Sequence, residues 1–136
     1  YFQFGYDRSI LQVRKDVVLE VTFQLSPKPK EEILQVIDAN IAWRRAKQPL
    51  LAEFPSCGSV FKKIEGVGAG RLIEQSGLKG ARIGGAEVSM RHANFIVNTG
   101  NAKAADVLRL IKYVQEEVKR KLGYTLETEI AVIGEL

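Results

Sequence analysis

Few residues in this 136-residue sequence have the types and spacing that chemistry needs. Ser59 follows a glycine in Cys57-Gly-Ser-Val-Phe-Lys62, with a cation three residues on. A hydroxyl in such a turn can act as a proton donor biased by Lys62; the plainer reading is a local turn or cap residue. Glu129 shares one side of an alternating stretch with Ala131 and Ile133. A carboxylate among apolar neighbours finds a partner or holds its proton more tightly, whereas an exposed strand-edge glutamate does neither. Cys57 has no visible base partner and reads as a small buried residue. His92 reads as a surface or hydrogen-bonding side chain, and Arg44, Arg45 and Lys47 close a helix at the end where cations are favourable.

The glycine cluster Gly66-Val-Gly-Ala-Gly70 invites a dinucleotide reading and fails it. Its sixth position is Arg71, and Lys62-Lys-Ile-Glu65 is not a buried strand. What remains is a glycine-rich loop entering a helix, which either offers free N–H groups to an anion or simply connects. One cysteine and one histidine exclude a disulfide framework, an all-thiolate metal site and the multi-histidine zinc signatures. The composition, 46% hydrophobic and 26% charged, excludes a disordered chain. No apolar run reaches the roughly 18 residues of a membrane span, and no basic segment leads into an apolar one as in a signal peptide. The net charge of +4 suits an anionic partner such as a phosphate, or a plain solvated surface. Aromatic residues do not interleave with a basic stripe, which argues against nucleic acid. The length leaves no room for both a cofactor domain and a substrate domain.

The elements that must position these residues are legible in part. Tyr1-Phe2-Gln3 reads as the remnant of a cleavable tag, leaving 4–136 as one domain. Asp16 to Leu25 alternates, with Val17, Leu19, Val21, Phe23 and Leu25 on one side, and predicts a strand. Ser26-Pro-Lys-Pro29 opens a helix with Glu31 and Glu32 in its first turn and a core stripe of Ile33, Leu34, Ile37 and Ile41; it must end before Pro49. No period survives from Leu51 to Gly70, which reads as a long loop. A short helix over 69–76 ends at Gly77, Gly84-Gly85 marks a turn, and 95–97 is a short strand. The strongest helix runs from Asn101, its cap, to Leu122, with a stripe of Val107, Ile111, Val114, Val118 and Leu122, and stops at Gly123. Leu126 to Ile133 predicts a last strand. The class is α+β: a small mixed or antiparallel sheet with two long helices and one short helix packed on it.

Eight motifs then follow in order: Arg44-x-x-Lys47-Gln-Pro, Gly58-Ser-Val-Phe-Lys62, Ala69-Gly-x-Leu-Ile-Glu74, Gly77-Leu-Lys-Gly80, Ile83-Gly-Gly-Ala86, His92-Ala-Asn-Phe-Ile-Val-Asn98, Ala105-Asp106-Val107 and Leu126-Glu-x-Glu129. Together they resemble the C-terminal, substrate-binding domain of UDP-N-acetylenolpyruvoylglucosamine reductase, in the branch with a short step after the serine loop. The resemblance runs from Phe4 to the end. It implies a bacterial cytoplasmic flavoenzyme that uses NADPH and FAD to reduce UDP-N-acetylglucosamine enolpyruvate to UDP-N-acetylmuramate for peptidoglycan. By motif, the proton-donating serine falls on Ser59 and the assisting glutamate on Glu129. Substrate contacts fall on Tyr6, Arg44, Lys47, Lys63 and His92. Lys63 stands where the family often has an amide, and Tyr6-Asp-Arg-Ser9 exchanges the charges of the usual Tyr-Arg-Asp-Ser, so only Tyr6 is carried from that motif. The family's FAD-binding domains and catalytic arginine precede this region. The resemblance thus implies a fragment that binds no FAD or NADPH, is inactive alone, and has neither nucleic acid nor membrane as partner. The alternative is a stand-alone, non-catalytic nucleotide-sugar binding module.

Overall fold

Backbone chemistry sets most of the helix ends. In a computed structural model of the chain, residues 1–5, 8–14 and 16–134 are described. Tyr6 lies outside them. The chain divides into two units, 1–33 and 34–136.

In the first unit, a single-turn 3-10 helix, Ile10–Gln12, is capped by Ser9, whose hydroxyl accepts from the Leu11 N–H. The Ile10 N–H donates to the Phe2 carbonyl at 2.9 Å. Residues 16–29 form no hydrogen-bonded strand. Here the structure departs from the expected strand: Val17, Leu19, Phe23 and Leu25 are exposed. Alternation encodes a face to be buried, but a strand exists only once a partner takes its N–H and C=O groups.

Helix α1 (Lys30–Lys47) begins after Pro29, whose carbonyl accepts from Ile33, and stops two residues before Pro49. Ser26 lies four residues before it rather than at its cap. The expected stripe exists, yet α1 buries none of its residues, and Ile33, Leu34, Ile37 and Ile41 are all exposed.

The second unit holds an antiparallel sheet in the order β1-β4-β3-β2: β1 (Ser56–Ser59), β2 (Arg82–Ile83), β3 (Ala86–Val88) and β4 (Phe95–Asn98). Strand β1 lies inside the stretch expected to be loop. Ser-Cys-Gly-Ser carries no apolar alternation because an edge strand with half-exposed faces needs none; its backbone pairs with β4 across a register shift between Ser56 and Ser59. Gly84-Gly85 is the expected turn and joins β2 to β3.

Helices α2 (Ala69–Gln75) and α3 (Ala104–Leu122) cover one sheet face. Leu72 and Ile73 of α2 and Leu110, Ile111, Val114 and Val118 of α3 pack against Ala86, Val88 and Ile96, with Val60, Phe61 and Leu126 closing the core. Gly77 ends α2 region and Gly123 ends α3, both with positive φ. Helix α3 starts three residues later than expected. Asp106 caps it by accepting from the Lys103 N–H, while the Asn98 side chain, not Asn101, holds the incoming turn through Gly100 and Ala102. The expected strand 126–133 reduces to one bridge, Phe61 to Thr128. Leu126 and Ile130 still turn inward, but Val132 and Ile133 are exposed. The α+β class stands, with an antiparallel sheet, two long helices and one short one. Among the described residues no helix is long and apolar enough to cross a membrane.

Candidate functional site

Ser59, Glu129, Arg44 and His92 lie on segments that meet around β1 and the start of β4, whereas Lys47 and Lys63 lie apart. Ser59 ends β1, half-buried, and pairs in register with Phe95 at the start of β4. Past it the chain is gripped from both sides. On one side the Val60 N–H donates to the Asn94 carbonyl at 2.9 Å. On the other, the Glu129 N–H donates to the Val60 carbonyl and the Lys62 N–H to the Glu127 carbonyl, both at 2.8 Å. These two bonds bring Glu129 beside the Ser59 loop from seventy positions away along the chain. Glu129 is exposed rather than set among apolar neighbours. Glu127 pairs with Lys62 at 3.2 Å, both side chains being exposed.

Phe95 is the centre of the cluster. Its ring meets the His92 ring edge-on, 5.0 Å between centroids. It also lines a cavity of about 240 Å³ with Arg44, Gln48, Pro49, Leu50, Leu51, Ser56 and Gly58. Arg44 and Gly58, the glycine next to Ser59, thus border the same cavity. Lys47, in the same last turn of α1, is exposed and lies outside that lining. Lys63 borders a separate cavity of about 190 Å³ with Lys62, Ile64, Thr125 and Glu127. Cys57 is exposed rather than buried, as the alternation of an edge strand requires.

His92 is half-buried, and its Nδ1 accepts from the Asn94 N–H at 3.2 Å. Burial is the main cause that holds its pKa below the ordinary 6.5; a backbone hydrogen bond opposes this, the Lys79 charge lowers it further and Glu74 raises it. At neutral pH the ring is thus uncharged, with its one N–H on Nε2, a donor suited to an anionic oxygen.

The glycine-rich segment does not fit a flavin or nicotinamide diphosphate. Ile64 and Val67 close a tight turn, with the Val67 N–H donating to the Ile64 carbonyl at 3.0 Å. No strand feeds it, and the helix that follows has seven residues. Gly70 has a packing reason instead: a Cβ there would come within 3.1 Å of the His92 ring. Among the described residues no group of three or more His, Cys, Asp or Glu side chains could hold a metal ion. A larger cavity of about 720 Å³, bounded by Phe54, Arg82, Glu87 and Arg91, contains none of the predicted residues. Sequence reasoning missed Asn94 and Phe95 as parts of the site. Asn94 stands one position before an apolar strand, but only its burial in the fold shows that it needs partners.

An antiparallel sheet backed by helices, with Ser59 at the end of its edge strand and Arg44 bordering the adjoining cavity, defines an α+β domain. A family model for the C-terminal domain of UDP-N-acetylenolpyruvoylglucosamine reductase matches residues 48–133. UDP-N-acetylenolpyruvoylglucosamine reductase from Shouchella clausii is 48% identical over 134 residues, covering 98% of this chain and 42% of that protein. The one from Exiguobacterium sibiricum is 49% identical over 133 residues, covering 98% and 43%. The crystal structure of the Thermus caldophilus reductase superposes with a TM-score of 0.74 at 41% identity, covering 94% of this chain and 44% of that one. The chain belongs to the UDP-N-acetylenolpyruvoylglucosamine reductase family. It spans less than half the length of these relatives.

Proposed function

We propose that this chain is the substrate-binding, proton-donating part of a bacterial cytoplasmic flavoenzyme that reduces UDP-N-acetylglucosamine enolpyruvate to UDP-N-acetylmuramate, a peptidoglycan precursor. The reading is carried by one observation: the backbone bonds from 127–129 to Val60 and Lys62 that set Glu129 beside the Ser59 loop. FAD and NADPH supply the hydride in such an enzyme, and both are held by other parts of the same protein. The exposed apolar positions Val17, Leu19, Phe23 and Leu25, and separately the α1 stripe, support such further parts as partners.

The work left to this chain is binding and proton delivery. Arg44 and Lys47 bring positive charge, and neutral His92 a hydrogen-bond donor, to the diphosphate; Tyr6 and Lys63 complete the contacts by motif. The Ser59 hydroxyl gives its proton to the carbanion-like carbon next to the carboxylate, which needs the donor within about 3 Å and competing water excluded. The Glu129 carboxylate orients that event. In the complete enzyme, Ser59→Ala is expected to leave flavin reduction by NADPH near normal and to slow substrate reduction about 10²-fold or more. Stopped-flow measurement of the two half-reactions separates them, and equal loss of both would make Ser59 structural. The chain alone, mixed with FAD, NADPH and substrate, is expected to stay inactive and colourless after desalting.

A further inference from the structure

We infer that Asn94 is a positioning residue for this site, acting as a surrogate strand that fixes the peptide after Ser59. The inference rests on the function proposed above. Strand β1 ends at Ser59, yet Val60 and Phe61 are buried and their backbone groups need partners. Asn94 supplies three of these partners. Its carbonyl accepts from the Val60 N–H at 2.9 Å. Its side-chain Oδ1 accepts from the Phe61 N–H at 3.0 Å, and its Nδ2 donates to the Phe61 carbonyl at 2.9 Å. A primary amide has the donor and acceptor of a peptide group at nearly the same spacing, so it can close both bonds at once.

The consequences reach three predicted site residues. The Val60 carbonyl, left free by Asn94, accepts from Glu129. The Asn94 N–H donates to His92 Nδ1, which leaves the imidazole proton on Nε2. Ser59 precedes the clamped dipeptide directly, so its backbone position follows the Val60–Phe61 peptide. Asn94 itself is buried and faces the core loop rather than the cavity, so it acts through Ser59, Glu129 and His92. Leucine at 94 fills the volume without either bond. Aspartate keeps the acceptor for Phe61 N–H and sets an oxygen against the Phe61 carbonyl.

The test uses the complete enzyme with Asn94→Leu and Asn94→Asp, each checked for folding by circular dichroism and flavin content. Both are expected to keep flavin reduction by NADPH close to wild type. Both are expected to lower kcat for substrate reduction about 10²-fold, the size of effect a 1 Å misplacement produces, with a smaller change in KM. Hydrogen exchange at the Phe61 and Glu129 amides is expected to speed up in Asn94→Leu, with a smaller change at Phe61 in Asn94→Asp, which keeps its acceptor. Wild-type enzyme without substrate reduction would sink the functional reading and this inference with it. Active wild type with an Asn94→Leu rate within threefold of it, with equal loss of both half-reactions, or with unchanged Phe61 and Glu129 exchange, would overturn the inference alone.

Discussion

Gly85→Ala is the substitution that most sharply tests a packing role for the motif Ile83-Gly-Gly-Ala86. Gly85 is buried at the turn between β2 and β3, under the start of α3. Its carbonyl accepts from both the Thr99 N–H and the Thr99 hydroxyl at 2.9 Å, and its N–H donates to the Asp106 carboxylate at 3.4 Å. A Cβ at this position would lie 2.6 Å from the Asn101 backbone carbon and meet the Ala102 nitrogen as well. These are backbone atoms, and the Asn98 side chain holds that backbone through Gly100 and Ala102 at 2.8 and 3.0 Å. Overpacking against movable side chains costs about 1–3 kcal/mol; against tethered backbone the cost belongs at the top of that range, about 3 kcal/mol. For a chain of this size that lowers Tm by about 10 °C. Gly123→Ala is the control. Gly123 has a φ of 78° and open space around it, so alanine meets only the left-handed backbone penalty. That penalty is about 1 kcal/mol, or about 3 °C. Thermal unfolding followed by circular dichroism at two wavelengths measures both and checks two-state behaviour. A Gly85→Ala loss no larger than that of Gly123→Ala would refute the steric argument.

Lys47→Ala in the complete enzyme is expected to weaken calorimetric affinity for the UDP-linked substrate several-fold, while an unchanged affinity removes Lys47 from the diphosphate site. His92, the one histidine of the sequence, is expected to titrate below 6.5 in the native chain, read from its ring-proton NMR shift. Between that native value and 6.5 the unfolded state binds more protons, so stability falls as pH drops below 6.5 and levels off beneath the native value. A native titration at or above 6.5 would show that burial is not the dominant influence on the ring.

The sequence by itself determined the elements whose cause is local. Pro49 bounds α1, Gly77 follows α2, and Gly123 closes α3 behind Lys119, Arg120 and Lys121, because capping geometry and φ preferences act within a turn of the residue concerned. The ordered motifs likewise sufficed for the family, since eight short matches in register leave few alternatives. Strands were another matter. Ser56–Ser59 has no apolar pattern and is a strand because β4 pairs with it, whereas 16–25 has the pattern and no such partner among the described residues. Strand formation is a property of two segments, and sequence periodicity reports only one. The site divides in the same way. Ser59 and Glu129 could be nominated from residue type and motif, but only the backbone bonds at Val60 and Lys62 bring their segments together, and only the buried Phe61 peptide makes an asparagine at 94 more than a polar residue before a strand. Buried hydrogen bonds across tens of residues have no local signature, so the tertiary structure alone decides which polar side chain must satisfy them.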